Sequence, residues 1–219
     1  MCIRDRRYEN LSPRELNSRF SKVGDARFMI TVKIKGAFNT PDLYANPILM
    51  PILNKLLGPP VISSFGSVVS FPGAEDQPIH YDHPPLFESD SLCNELPPYA
   101  ITVVIPLVDI EYETGSTAIW EGSHCAQESR HLLQRLNAEP SFDGAAIPLP
   151  RAGDVYLMDY RVIHGGMANQ SQTTRPIFYS VYSRPWFRDW TNFSDQPAVD
   201  LPKKQRKKIP KKLRQLFPK

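Results

Sequence analysis

His80-Tyr81-Asp82 and His164-Gly165-Gly166, with Arg175 eleven residues after the second histidine, are the residues of this chain best suited to chemistry. Two histidines and one carboxylate are the protein ligands of a mononuclear non-haem iron(II) site, which leaves other coordination positions open. On a strand, alternate side chains share a face, so His80 and Asp82 project together while Tyr81 and His83 point away. The third ligand must come from another strand, and His164 supplies it if residues 161–168 lie opposite. Arg175 opens the apolar run Pro176-Ile177-Phe178-Tyr179-Ser180-Val181, where an unpaired guanidinium is costly. A planar guanidinium holds a carboxylate through two parallel hydrogen bonds, which suits the far carboxylate of 2-oxoglutarate. If these residues assemble, the expected function is that of an iron-dependent oxygenase. Taken singly they are weaker: an H-x-D pair is also a common surface hydrogen-bonded pair, and Arg175 alone also fits a surface salt bridge.

These residues need strands to carry them, and the sequence offers several. Residues 28–38 alternate around Ile30, Val32 and Ile34. Segments 61–71, 77–82, 100–108, 117–120, 154–159 and 176–183 are short, rich in β-branched and aromatic residues, and bounded by turn formers. One helix is expected at 126–136. Earlier helices are expected after Ser12-Pro13-Arg14-Glu15, which has the form of a capping box, after Thr40-Pro41-Asp42, and at 52–57, where Pro47 and Pro51 precede the helix and Gly58 stops it. Many short strands buttressed by helices predict a mainly β barrel or two-sheet jelly roll.

The 219 residues fit one domain: a helical and strand buttress over 1–58, a jelly-roll core over 59–190 and a basic tail over 191–219. Met1 to Arg6 reads as a junction on a shortened gene and is set aside from fold reasoning. No apolar run approaches the roughly 18–20 residues of a membrane span. Cys2, Cys93 and Cys125 are odd in number and lack metal-ligand spacing, so free thiols in a reducing cytoplasm are expected. The net charge of +3 hides an asymmetry: residues 201–219 hold nine Lys or Arg and no acid, leaving 17 basic and 23 acidic residues elsewhere, a balance of −6. Leu213, Leu216 and Phe217 give the tail an apolar face, so a short docked helix with a solvated basic side is expected rather than a nucleic-acid or membrane contact. No aromatic-rich basic platform accompanies it.

The chain resembles the phytanoyl-CoA dioxygenase family of iron(II)/2-oxoglutarate oxygenases. Gln77-Pro78-Ile79-His80-Tyr81-Asp82 is similar to its first metal motif. Val108-Asp109 through Gly115 and then Glu121-Gly122-Ser123-His124 resembles its glycine turn and PGSH segment, with Glu121 in place of proline. Gly153-Asp154-Val155-Tyr156, His164-Gly165-Gly166 and Asn169 resemble the distal-histidine block; Arg175-Pro176 and Arg184-Pro185-Trp186-Phe187 resemble the closing strand. The similarity spans roughly residues 50–190 and implies a double-stranded β-helix, the cupin-like jelly roll. It assigns iron(II) to His80, Asp82 and His164, and the 2-oxoglutarate carboxylate to Arg175. It implies oxidative decarboxylation with dioxygen, releasing succinate and carbon dioxide as a C–H bond of a small-molecule substrate is hydroxylated. Asp82 favours that outcome, because related halogenases lack this carboxylate. Family members often carry Ser or Thr two residues after the distal histidine; here Gly166 stands there, so that hydrogen bond must come from elsewhere or be absent. Thr102 and Gln77 are further candidates to contact the cosubstrate.

Substrate-side candidates are Tyr81, His83, Pro84, Pro85, Leu86 and Phe87 as a lid, with Tyr99 and Trp186 as walls; all serve equally as packing residues. His124 reads as a turn residue and His131 as surface. Two other functions stay open at this point: a cupin-like metalloprotein that does not use 2-oxoglutarate, in which Arg175 has no required partner, and a non-catalytic ligand-binding module.

Overall fold

The computed structural model describes residues 20–87, 90–194 and 196–217. The capping box at Ser12 and the opening segment lie outside them. Eight strands follow in order: β1 Ser21–Gly24, β2 Arg27–Thr31, β3 Val61–Ser70, β4 Ala100–Pro106, β5 Thr117–Ile119, β6 Tyr156–Asp159, β7 His164–Gly166 and β8 Arg175–Ser183. The helices are α1 Pro41–Tyr44, α2 Leu49–Leu57, α3 Asp90–Glu95, α4 Ala126–Ala138 and α5 Lys203–Arg206, with 3-10 turns at Gly36–Phe38 and Lys211–Leu216.

Six strands form one antiparallel sheet in the order β1-β2-β3-β8-β4-β6, and β5 pairs with β7 in a second. Isolated bridges extend the small sheet: His80 pairs with His164, Ala74 with Asn169, and Ile119 with Ala146. Side chains connect the two sheets. Arg27 on β2 reaches the carbonyl of Gly166 on β7, and Tyr156 on β6 donates to Thr117 on β5. This is the two-sheet jelly roll that the strand pattern predicts.

Residues 77–82 depart from the expected strand, with only the His80 bridge formed. Pro78 has no N–H to give a ladder, and Pro84-Pro85 follow soon after, so regular pairing fails. Alternation survives this, and His80 and Asp82 still point the same way. Helix α2 starts earlier than expected: Pro51 lies within its first turn, where a missing N–H costs nothing. Asn46 Oδ1 accepts from the N–H groups of Ile48 and Leu49 at this end, and Gly58 closes the other with φ of 72°.

Alternate side chains point to the two faces of the large sheet, and both faces are covered along most of β4 and β8. Phe65, Ile101, Val103, Phe178 and Tyr182 point outward into a core completed by Tyr44, Leu53 and Leu57 of the helices. Ile209, Leu216 and Phe217 of the tail are buried in the same core, with Phe217 edge-on to Tyr44 at 5.2 Å. The basic residues around them remain mostly at the surface. Phe217→Ala is expected to cost about 3–5 kcal/mol in chemical denaturation, as truncation of a buried aromatic does; a loss under about 1 kcal/mol would show that the tail is not part of the core. Leu132, Leu133 and Leu136 of α4, at helical spacing, cover Ile79, Ala118, Trp120 and Ile163 behind the small sheet. The inner face of the large sheet is left to polar and aromatic residues, including Arg27, Ser70, Arg175, Tyr179 and Thr102.

Candidate metal and cosubstrate site

Ligand atoms of His80, Asp82 and His164 lie within 4.8 Å of one another at the inner surface of the small sheet. The backbone brings the histidines together: each exchanges N–H and C=O with the other, at 2.9 and 2.8 Å. Their rings stand 4.5 Å apart. Each Nδ1 sits against the carbonyl two residues earlier, His80 to Pro78 at 2.6 Å and His164 to Val162 at 2.9 Å. A carbonyl can only accept, so each Nδ1 carries the proton and each Nε2 presents a lone pair. Burial, then the neighbouring His164, pushes the His80 pKa down, against the pull of Asp82. Neutral imidazole is the form that binds metal.

Asp82 Oδ1 lies 3.6 Å from His164 Nε2, and its Oδ2 accepts from Thr102 Oγ1 at 3.3 Å. Thr102 therefore orients the carboxylate. The Asp82 carbonyl accepts from Asn192 Nδ2, which also donates to Asp189. Asp189 receives the Tyr160 hydroxyl at 2.6 Å. Burial acts to raise the Asp189 pKa, but hydrogen bonds from Tyr160, Asn192 and Thr191 outweigh it and hold the carboxyl below its usual range. This outer network escaped the sequence reading.

Arg175 is 2% exposed, and its one side-chain hydrogen bond among the described residues goes from Nη2 to Ser70 Oγ at 3.1 Å. Its Nε is buried without an acceptor among the described residues. Burial pushes its pKa down, opposed by Tyr156. Arg27, absent from the sequence reading, lies beside it and is 0% exposed. Burial and then Arg175 push the Arg27 pKa down to about 10, against the pull of Asp76. Gln77 is half-buried; its Oε1 accepts from the Gly166 N–H at 3.3 Å.

The donor set suits iron(II): two imidazole lone pairs and a carboxylate, with no thiolate, make a hard-to-intermediate site with open positions. A buried arginine with no carboxylate beside it among the described residues suits an incoming dicarboxylate. His83 turns away from this cluster. It is 1% exposed, its Nδ1 is held by the Pro84 carbonyl and its Nε2 has no partner among the described residues. It packs edge-on against Tyr99, Phe187 and Trp190, and lines a small cavity with Tyr81, Leu86, Tyr99 and Arg161. His124 and His131 are exposed.

A jelly roll with a His-Asp-His cluster between its sheets is the arrangement of the mononuclear non-haem iron oxygenases. The sequence model of the phytanoyl-CoA dioxygenase (PhyH) family matches residues 7–177, and the chain belongs to that family of iron(II)/2-oxoglutarate-dependent dioxygenases. Solved structures share the fold. HygX from Streptomyces hygroscopicus, with nickel and 2-oxoglutarate bound, is 16% identical at a TM-score of 0.60, with 85% of each chain covered. The 2-oxoglutarate-dependent epimerase SnoN from nogalamycin biosynthesis is 18% identical at a TM-score of 0.55, over 75% of this chain and 65% of its own.

Proposed function

We propose that this protein hydroxylates a C–H bond of a small organic substrate, with His80, Asp82 and His164 holding iron(II) and Arg175 holding the distal carboxylate of 2-oxoglutarate. The carrying observation is the buried Arg175, unpaired with any carboxylate among the described residues, in the same sheet interior as the His-Asp-His cluster. Iron(II), 2-oxoglutarate and dioxygen together supply the oxidising power to cleave a C–H bond, with succinate and carbon dioxide released. The chain supplies position. Pro78 and Val162 carbonyls fix both histidine tautomers, and Thr102 holds one carboxylate oxygen of Asp82 so that the other faces His164. Asn192 anchors the Asp82 backbone through its carbonyl.

The small cavity lined by Tyr81, His83, Leu86 and Tyr99 offers the substrate a largely apolar wall. Family membership weighs against both the cupin-like reading without 2-oxoglutarate and the non-catalytic module. The test is turnover under ¹⁸O₂ with iron(II) and 2-oxoglutarate over a substrate panel. Hygromycin B heads the panel because HygX has been solved with it bound. Hydroxylation places one labelled oxygen in succinate and one in the product. Succinate release with an unlabelled, isomeric product would instead indicate the outcome of an epimerase, the activity of SnoN.

A further inference from the structure

Arg27 and Arg175 spend an N–H on the same atom. Arg27 Nε donates to Ser70 Oγ at 2.7 Å, and Arg175 Nη2 donates to it at 3.1 Å. A hydroxyl oxygen has two lone pairs and one proton. With both lone pairs engaged, the Ser70 proton must leave in the remaining direction, and no described residue accepts it there. Ser70 is itself 0% exposed. Arg175 Nε is a second buried donor without an acceptor among the described residues. Two unmet donors on neighbouring side chains, beside two buried cations, match the two oxygens of one carboxylate.

Arg27 is held too firmly to be a free cation. Its Nη1 donates to the Gly166 carbonyl at 2.8 Å and its Nη2 to the Met167 carbonyl at 2.7 Å. A Cβ at Gly166 would stand 2.5 Å from Nη1 and 2.7 Å from Gln77 Oε1, so the space beside the distal-histidine strand belongs to this guanidinium. The clamp aims Nε at Ser70 and leaves the hydroxyl one orientation.

We propose that Ser70 binds the cosubstrate, giving its hydroxyl proton to the distal carboxylate of 2-oxoglutarate beside Arg175, and that Arg27 is the positioning residue that aims this proton. This rests on Arg175 being the carboxylate anchor of the proposed function.

The test is anaerobic calorimetry on the iron(II)-loaded protein with 2-oxoglutarate and with 2-oxopentanoate, which carries a methyl group in place of the distal carboxylate. Ser70→Ala is expected to weaken 2-oxoglutarate about 10–100-fold, the range for a hydrogen bond to a charged group, and to leave 2-oxopentanoate unchanged. Arg27→Lys keeps the cation but loses the fixed fork, and gives a similar selective loss that adds nothing on top of Ser70→Ala. Should Ser70→Ala not fold, Ser70→Cys, with its weaker donor, shows the same selective loss. Equal weakening of both ligands, or unchanged binding of 2-oxoglutarate, overturns the proposal. Arg175→Met separates the two levels. If it erases the preference for 2-oxoglutarate while Ser70→Ala keeps it, the anchor stands and the Ser70 role falls; if Arg175→Met keeps the preference, the anchor falls and the Ser70 role with it.

Discussion

Asp82→Ala is expected to lower iron(II) affinity by more than about 100-fold, beyond the 10–100-fold typical of losing an outer-shell partner, while leaving the fold intact. Asp82 is the one anion of the three clustered ligands, and two neutral imidazoles cannot replace its charge against a divalent ion. Its side chain keeps about a quarter of its surface (24%), so alanine leaves no sealed cavity and little strain. Thr102→Val provides the graded comparison. It removes only the hydrogen bond to Asp82 Oδ2 and should cost roughly 10-fold. Anaerobic iron(II) titration of the three proteins checks the order. Wild-type affinity in Asp82→Ala would remove this carboxylate from the metal site.

Arg175→Met is expected to stabilise the protein free of cosubstrate while nearly abolishing 2-oxoglutarate binding. The guanidinium is buried and meets only Ser70 among the described residues, so its desolvation is largely uncompensated. An apolar side chain of similar length removes that cost and the repulsion from Arg27. Replacing uncompensated buried charge with packed apolar groups gains about 1–3 kcal/mol, or roughly 2–4 °C per kcal/mol in a domain of this size. Cosubstrate affinity should fall about 100-fold with loss of a charge-assisted bidentate pair. Thermal unfolding with and without 2-oxoglutarate reads both effects: a higher midpoint in its absence, and no further rise in its presence. A lower midpoint combined with a retained ligand shift would mean that Arg175 is structural.

The parts of this protein written in local pattern were legible in its sequence. Strand-favouring composition between turn formers located β3, β4, β6 and β8 to within about two residues, the usual uncertainty of element ends, and the spacing within His80-Tyr81-Asp82 placed two candidate ligands on one side of an extended segment. The convergence of His164 on this pair followed from the need for an opposite strand, and the His80–His164 bridge provides it. What stayed hidden depends on distant contacts. Arg27 lies 43 residues from Ser70 and 139 from Gly166, one position before the 28–38 segment read for its alternating apolar residues and first residue of β2 in the fold. A buried arginine there looks like any surface arginine until β2 is paired with β3. Asn192 is likewise 110 residues from Asp82, in a loop whose polar composition signals only a turn. Gly166 was visible as a departure from the family pattern, and its reason, the guanidinium filling its side-chain space, is tertiary.

The most direct measurement is an anaerobic titration of the metal-free protein with iron(II) and then 2-oxoglutarate, following the weak visible charge-transfer band of the chelate. The site built here predicts a band in the wild type, none in His164→Ala, and a far higher 2-oxoglutarate requirement in Arg175→Met. Iron(II) bound to folded wild-type protein with no band at saturating 2-oxoglutarate would contradict it.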